Sequence, residues 1–465
     1  MLFYLISSLC SFLLGTLLVL TDFFPVHSLM LQNILVYLSF QSALFLQFDI
    51  ERQLFGYVCL YAACIFSIAV ILPLPFPERD RKIARIACAT ILCIISAVKA
   101  VKAEKTFNLG QYFQARLQST ALYDTDYKDA QLVSAPAPTK KNLIVIFLES
   151  IENSYSSSNL FGKNLIPHLS NLNGKKVARY QELIGLDNTS SALIGAFCGL
   201  PYLPALKEMD RNNFSFTFSK NTCLTDILHD AGYENFFYTA DDKTFANKDL
   251  FLNAHHFRHI EDAKTLRTSA ADNGLPIFNA VKDSVLLDAA LNGIKNAEKS
   301  GQPFAFFILT LNTHEPSGFL EKQCDLKSDV PFKDVVFCLD NQINDFIGKL
   351  KKLPSYKDTV VVLVGDHTAR KNALYDSLKK IPNRTIYNNF VSGADALSNL
   401  DRTFTALDIG PTVLELLGFE LQDGALGLGR SLLRPEPTVI EKYGKRVLEQ
   451  ELLKKSKKYR EFLRK

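Results

Sequence analysis

The sequence predicts an α/β protein: transmembrane helices first, then an α/β domain whose mostly parallel central sheet is flanked by helices. Three observations carry this expectation. In residues 1–100, 66 are hydrophobic, against 48% over the whole 465-residue chain. Beyond residue 140, short unbroken apolar runs alternate with amphipathic, helix-like segments. Acidic, amide and imidazole side chains stand at the ends of those runs. The chain is too apolar to be disordered and too long to be one small domain. Its mean hydropathy of +0.06 and net charge of +4 are averages over unlike parts.

Four apolar stretches fill the first part, at about 2–20, 28–48, 55–73 and 83–101. Each is close to the ~20 residues that cross a bilayer as a helix. Charges and prolines fall between them: Asp22 and Pro25, then Asp49, Glu51 and Arg52, then Pro75 through Lys82. A buried soluble helical domain is the competing reading, but four such runs joined by such short loops are hard to bury otherwise. A cleaved secretory leader is not expected, because the N-terminus has no positive n-region and further spans follow. Arg79, Arg81 and Lys82 mark the third loop as cytoplasmic, which carries everything after residue 105 across the membrane. Lys99, Lys102 and Lys105 pull the other way. The expected organisation is a membrane part over 1–105, a connector over 106–140, an α/β domain over 141–433 and a basic tail over 434–465.

The connector is polar and closes on Ala135-Pro136-Ala137-Pro138, which resists helix and sheet alike. Asn142–Leu148 then reads as a strand buried on both faces. Similar runs lie at 235–239, 304–311 and 359–364, and helical patterns at 223–232 and 337–350. Their ends hold the chemistry. The first strand ends in Glu149-Ser150, the second near Asp241-Asp242, the third in Asn312-Thr313-His314 and the fourth in Gly365-Asp366-His367. Open α/β sheets bind ligands outside the carboxyl ends of their strands. Carboxylate oxygen with imidazole nitrogen is a donor mixture for divalent cations. Any one of these residues could equally be a capping group.

A nucleophile has its own candidate segment. Asp187-Asn188-Thr189-Ser190-Ser191 precedes an apolar, helix-like run. These residues could simply cap a helix. The same geometry also sets a hydroxyl among free N–H groups, where a phosphate binds.

Of nine cysteines, five lie in the apolar spans and four beyond them: Cys198, Cys223, Cys324 and Cys338. These four form two sequence-local pairs. In an oxidising compartment they would make two disulfides, most simply 198–223 and 324–338; in the cytosol they would be buried thiols. No C-x2-C spacing favours zinc. The last segment, 441–465, has ten Lys or Arg and four Glu. It reads as a solvated basic helix, or as one lying on anionic lipid. No aromatic-interleaved basic motif supports nucleic-acid binding.

Several stretches together carry a resemblance: 142–150 (NLIVIFLES), 189–201 (TSSALIGAFCGLP), 221–232 (NTCLTDILHDAG), 245–257 (FANKDLFLNAHHF), 310–319 (TLNTHEPSGF) and Gly365-Asp366-His367. They resemble, in order, the alkaline phosphatase/sulfatase superfamily. Within it they resemble the membrane-anchored transferases of phosphoglycerol and phosphoethanolamine, with lipoteichoic acid synthase more distant. The resemblance implies metal ligands at Glu149, Thr189, Asp366 and His367, for Mn, Mg or Zn. It implies a nucleophile at Thr189, with Ser190 a poorer candidate, and a phosphoryl-contacting or proton-donating residue at His314. Asp242, Lys243 and Lys248 fall in a stretch similar to the substrate-binding loop, although Lys243 and Thr244 stand where relatives often carry arginine. Sulfatases need a C/S-x-P-x-R motif, which Thr189-Ser190-Ser191-Ala192-Leu193 lacks.

What the resemblance implies is a ping-pong transfer from phosphatidylglycerol to a periplasmic or surface glycan. The enzyme would be a multi-pass protein of the bacterial inner membrane with its catalytic domain facing the periplasm. Phosphoethanolamine transfer to lipid A or another glycolipid keeps the site and changes the group. Hydrolysis would ask for a richer, two-metal site. A membrane-anchored binding or scaffold module would close its metal site with four protein ligands.

Overall fold

The computed structural model describes residues 109–134, 141–203, 217–267, 280–324 and 328–463. The chain divides into two units, Met1–Arg116 and Leu117–Lys465. The four expected spans lie outside the described residues, and no helix among the described residues is long and apolar enough to cross a membrane.

The second unit is built on a six-stranded sheet. Its strands are β1 (Asn142–Leu148), β2 (Glu234–Thr239), β3 (His259–Glu261), β4 (Phe304–Leu309), β5 (Thr359–Gly365) and β6 (Asn388–Ser392), in the spatial order β3-β2-β4-β1-β5-β6. All neighbours are parallel except β5 and β6. In the central pairs Val145 lies opposite Phe307 on one side and Val362 on the other. The mostly parallel α/β sheet expected from the apolar runs is therefore present.

Strand periodicity explains why those runs are unbroken. Alternate side chains point to opposite faces, so a sheet covered on both faces needs apolar residues at every position. Ile144, Ile146 and Leu148 join Phe306 and Ile308 in one core. Onto it pack α4 (Asp283–Ser300), through Leu286, Ala290 and Ile294, and α5 (Pro331–Leu350), through Leu339, Ile343 and Phe346. On the other face the Phe197 ring of α1 (Thr189–Cys198) sits 5.9 Å from Phe147 and 5.0 Å from Phe307. Truncating such a buried ring costs about 3–5 kcal/mol, so α1 is held firmly over β1 and β4. The remaining helices named below are α2 (Leu224–Asp230), α3 (Lys248–Ala254), α6 (Ile409–Leu416), α7 (Val439–Tyr443), α8 (Lys445–Leu453) and α9 (Lys457–Phe462).

Two segments differ from expectation. Residues 117–134 are not a bare connector: Leu122, Tyr123 and Tyr127 are buried, Tyr127 packs on Phe462 at 4.4 Å, and Leu132 pairs with Leu421 just beyond α6. Nor is the basic tail a solvated helix. It breaks at Gly444 and again before Ser456 into α7, α8 and α9. Its apolar stripe is buried at Leu448, Leu452 and Leu453. The Tyr459 hydroxyl accepts the Leu203 N–H and donates to the Pro201 carbonyl, each at 2.7 Å. The charge run masked this stripe, because lysine and arginine heads reach solvent while the apolar residues between them pack.

Candidate active site

The carboxyl ends of β1 and β5 lie side by side, and each ends in an abrupt turn. Ser150 takes φ 55° directly after Glu149, a left-handed conformation unusual for a residue with a side chain. Its N–H donates to Asp366 Oδ1 at 2.8 Å, and its hydroxyl donates to Glu149 Oε1 at 2.7 Å. Gly365 closes β5 because nothing larger fits: a Cβ there would stand 2.1 Å from the Ile151 carbonyl oxygen. The turn thus presses Asp366 and His367 against Glu149.

From the next element comes Thr189. Asn188 caps α1, accepting from the Ser191 N–H at 3.1 Å, while Ser191 completes a reciprocal capping box. The cap is Asn188, so the Thr189 hydroxyl is not spent on the helix. It donates to Glu149 Oε2 at 3.1 Å and lies 3.4 Å from His367 Nε2. It is Thr189, not Ser190, that meets the carboxylate.

His367 Nδ1 lies 3.0 Å from the Thr368 carbonyl, which fixes the proton on Nδ1. Nε2 then offers its lone pair toward Glu149 and Asp366, each at 3.4 Å. One donor atom from each of Glu149, Asp366 and His367 lies within 4.8 Å of the others. Burial, and then the charges of Asp366 and Glu315, push the Glu149 carboxyl well above the usual carboxylate range. Among the described residues, Asp366 Oδ2 is buried and receives no hydrogen bond. Two buried carboxylates beside an imidazole lone pair, with one oxygen left undonated, fit a divalent cation.

His314 stands at the mouth of this cluster. Its Nδ1 lies 2.7 Å from the Glu315 carbonyl, and a donor atom each of Glu149, His314 and Glu315 lies within 4.8 Å of the others. Its loop is anchored from behind. Buried Asp283, opening α4, accepts the Leu311 and Asn312 N–H groups at 2.8 and 3.0 Å. Thr310 Oγ1 accepts the Glu149 N–H at 3.0 Å.

The remaining expected residues sit apart. Lys248, in α3, forms a buried ion pair with Asp241 at 2.6 Å, each side chain 6% exposed. Asp242 pairs with Lys264 at 2.8 Å; burial opposes its ionisation, but Lys264 and Thr244 outweigh that and hold it at about 2. The Lys243 N–H donates to Asp262. Among the described contacts, none joins Asp242, Lys243 or Lys248 to the Glu149 cluster; these three hold their own loop together.

Residues 141–419 match the family model named Sulfatase. The chain belongs to the sulfatase family. Phosphoglycerol transferase I from Salmonella paratyphi B is 32% identical over 356 residues, covering 74% of this chain and 46% of that relative. The chain thus spans about half the length of the curated relatives it matches. Two solved structures share the fold. One, from Vibrio parahaemolyticus, belongs to the alkaline phosphatase superfamily: TM-score 0.51, 20% identity, 68% of this chain and 74% of that one covered. The other is the lipoteichoic acid synthase LtaP from Listeria monocytogenes: TM-score 0.51, 23% identity, 68% and 81% covered.

The sulfatase-family domain carries both disulfides in their simplest pairing, Cys198–Cys223 and Cys324–Cys338. The first ties the end of α1 to the start of α2. The second ties the segment after the His314 loop to α5. Sequence reasoning missed the residues that brace the metal-type cluster. The Arg384 guanidinium forks onto buried Glu152, which also accepts the Ala369 N–H at 2.9 Å. Glu182 accepts the Thr368 N–H and hydroxyl, each at 2.8 Å. Both tie the loop after His367 to its neighbours. None of these residues lies in a motif, so only the fold brings them together. Glu315 and Arg370 were also missed, although each lies within three residues of a residue singled out.

Proposed function

We propose that this sulfatase-family chain is a phosphotransferase that moves the phosphoglycerol group of phosphatidylglycerol to a glycan hydroxyl through a covalent intermediate on Thr189. The observation that carries the reading is the Thr189 hydroxyl at a helix N-terminus, hydrogen-bonded to Glu149 and within 3.4 Å of His367 Nε2. The relative named phosphoglycerol transferase I, at 32% identity, supports the choice of group.

Glu149, Asp366, His367 and Thr189 would hold a divalent ion, which when bound favours the alkoxide of Thr189 and polarises the phosphoryl oxygens. The chain's own residues supply the rest. Thr189 Oγ1 bonds to phosphorus as the bond to diacylglycerol oxygen breaks. The N–H groups opening α1 face the anionic group at the positive end of the helix dipole. His314, with Nδ1 held by the Glu315 carbonyl, donates its Nε2 proton to the departing alcohol. In the second half a glycan hydroxyl gives a proton back to His314 and takes the phosphoglycerol from Thr189.

The two disulfides support an oxidising compartment for this domain. The apolar runs before residue 105 support a membrane anchor that keeps the site near a lipid donor. Incubating the purified chain with labelled phosphatidylglycerol or phosphatidylethanolamine tests the reading. Diacylglycerol release from the first lipid supports it; release only from the second replaces the phosphoglycerol group with phosphoethanolamine. No release from either overturns it.

A further inference from the structure

We propose that Arg370 is an anion-binding residue of this site, its guanidinium holding a phosphoryl oxygen of the donor; the choice of ligand rests on the phosphotransfer reading. Arg370 lies three residues beyond His367 and touches both loops that the chemistry needs. One terminal nitrogen donates to the Asp187 carbonyl, two residues before Thr189. The other lies 4.0 Å from Glu315 Oε1, beside His314. That separation is too long for a hydrogen bond and leaves the contact Coulombic.

Charge explains why a cation is needed there. Glu149, Asp366 and Glu315 bring three carboxylates to one pocket. A divalent ion offsets two of those charges and a protonated His314 a third, and a phosphodiester brings another. Among the described residues, Arg370 is the Lys or Arg recorded within ion-pair reach of any of the three. A guanidinium has five N–H donors in a planar fork, a geometry suited to the oxygens of a phosphoryl group. Its side chain is 16% exposed, enough to be met from the mouth of the site.

The test is calorimetric titration of inorganic phosphate into the Mn2+-loaded full chain, for wild type, Arg370→Lys and Arg370→Gln. Mn2+ affinity and thermal stability are measured on each. Wild type is expected to bind phosphate, Arg370→Gln to bind it about tenfold or more weakly, and Arg370→Lys to fall between. Mn2+ affinity should stay within about twofold across the three. No binding by wild type, or affinity in Arg370→Gln within about twofold of wild type, overturns the proposal. So does a matching loss of Mn2+ affinity, which would make Arg370 a strut for the metal ligands. Diacylglycerol release, followed in parallel, separates the two ideas. Phosphate binding that depends on Arg370 without any release refutes the transfer reading and leaves this one standing.

Discussion

The Thr189 hydroxyl donates to Glu149 Oε2 across 3.1 Å, joining the first turn of α1 to the end of β1. Sheet geometry brings β1 and β5 together, so the same carboxylate also faces His367 and Asp366. The hydroxyl is available because Asn188 performs the capping. The proposed nucleophile, the cation-type donor set and the helix N-terminus therefore meet at one point on the sheet edge.

Replacing Thr189 with alanine should abolish diacylglycerol release and leave the fold intact. Losing a true N-cap costs about 1 kcal/mol, but here Asn188 stays. Thermal unfolding should thus shift by less than that. Undiminished turnover in Thr189→Ala would remove it as the nucleophile.

Metal and stability should be linked through Glu149. In metal-free protein its carboxyl is crowded by Asp366, so Glu149→Gln should leave that form as stable as wild type or more so. A ligand at a hundred times its Kd stabilises by about 2.7 kcal/mol. Wild type should gain roughly this on adding Mn2+ at such excess, and Glu149→Gln should gain little. Parallel unfolding curves with and without Mn2+ measure both effects.

A pH dependence should come from Asp283, far from the metal-type ligands in sequence. Burial pushes its carboxyl up to about 7, against the backbone N–H groups of Leu311 and Asn312, which favour ionisation. The folded state therefore keeps a proton that the unfolded chain sheds near pH ~4. Stability from this group should fall as pH rises from about 4 to 7 and level off above, by a few kcal/mol. Asp283→Asn should be less stable at every pH, since its amide NH2 faces one of those donors, and should lose this slope. Denaturation curves from pH 4 to 8 compare the two; equal slopes would exclude Asp283 as the source.

Removing either disulfide by paired Cys→Ser substitution should cost about 3 kcal/mol by loop closure over separations of 25 and 14 residues. Loss of Cys324–Cys338 should also loosen the segment after the His314 loop. Denaturant midpoints measure the first effect, and hydrogen exchange over 310–324 the second.

Much of the sheet was legible because its strands are covered on both faces. Asn142–Leu148 is apolar at nearly every position, and its observed bounds match the expected ones. β3 and β6 were missed because neither presents an unbroken apolar run. β3 has three residues, and β6 begins with Asn388 and Asn389, whose side chains bond backbone groups around Val177 and Leu172. Glu149, His314, Asp366 and His367 stood out as polar residues at strand ends, and the resemblance singled out Thr189 within a helix-start segment; the structure gathers all five. Glu152 and Arg384 meet across more than two hundred residues of sequence, and no local pattern announces such a pair. Lys248 looked like a binding residue because its stretch resembles a substrate-binding loop; in the structure Asp241 satisfies it inside the protein.

The covalent intermediate is the central claim, and mass spectrometry of the trapped protein tests it most directly. After incubation with phosphatidylglycerol and no acceptor, the wild-type chain should gain the mass of one glycerophosphoryl group, mapped to the peptide containing Thr189. Thr189→Ala should gain nothing. An adduct on another residue, or diacylglycerol release with no adduct on Thr189, would contradict the account.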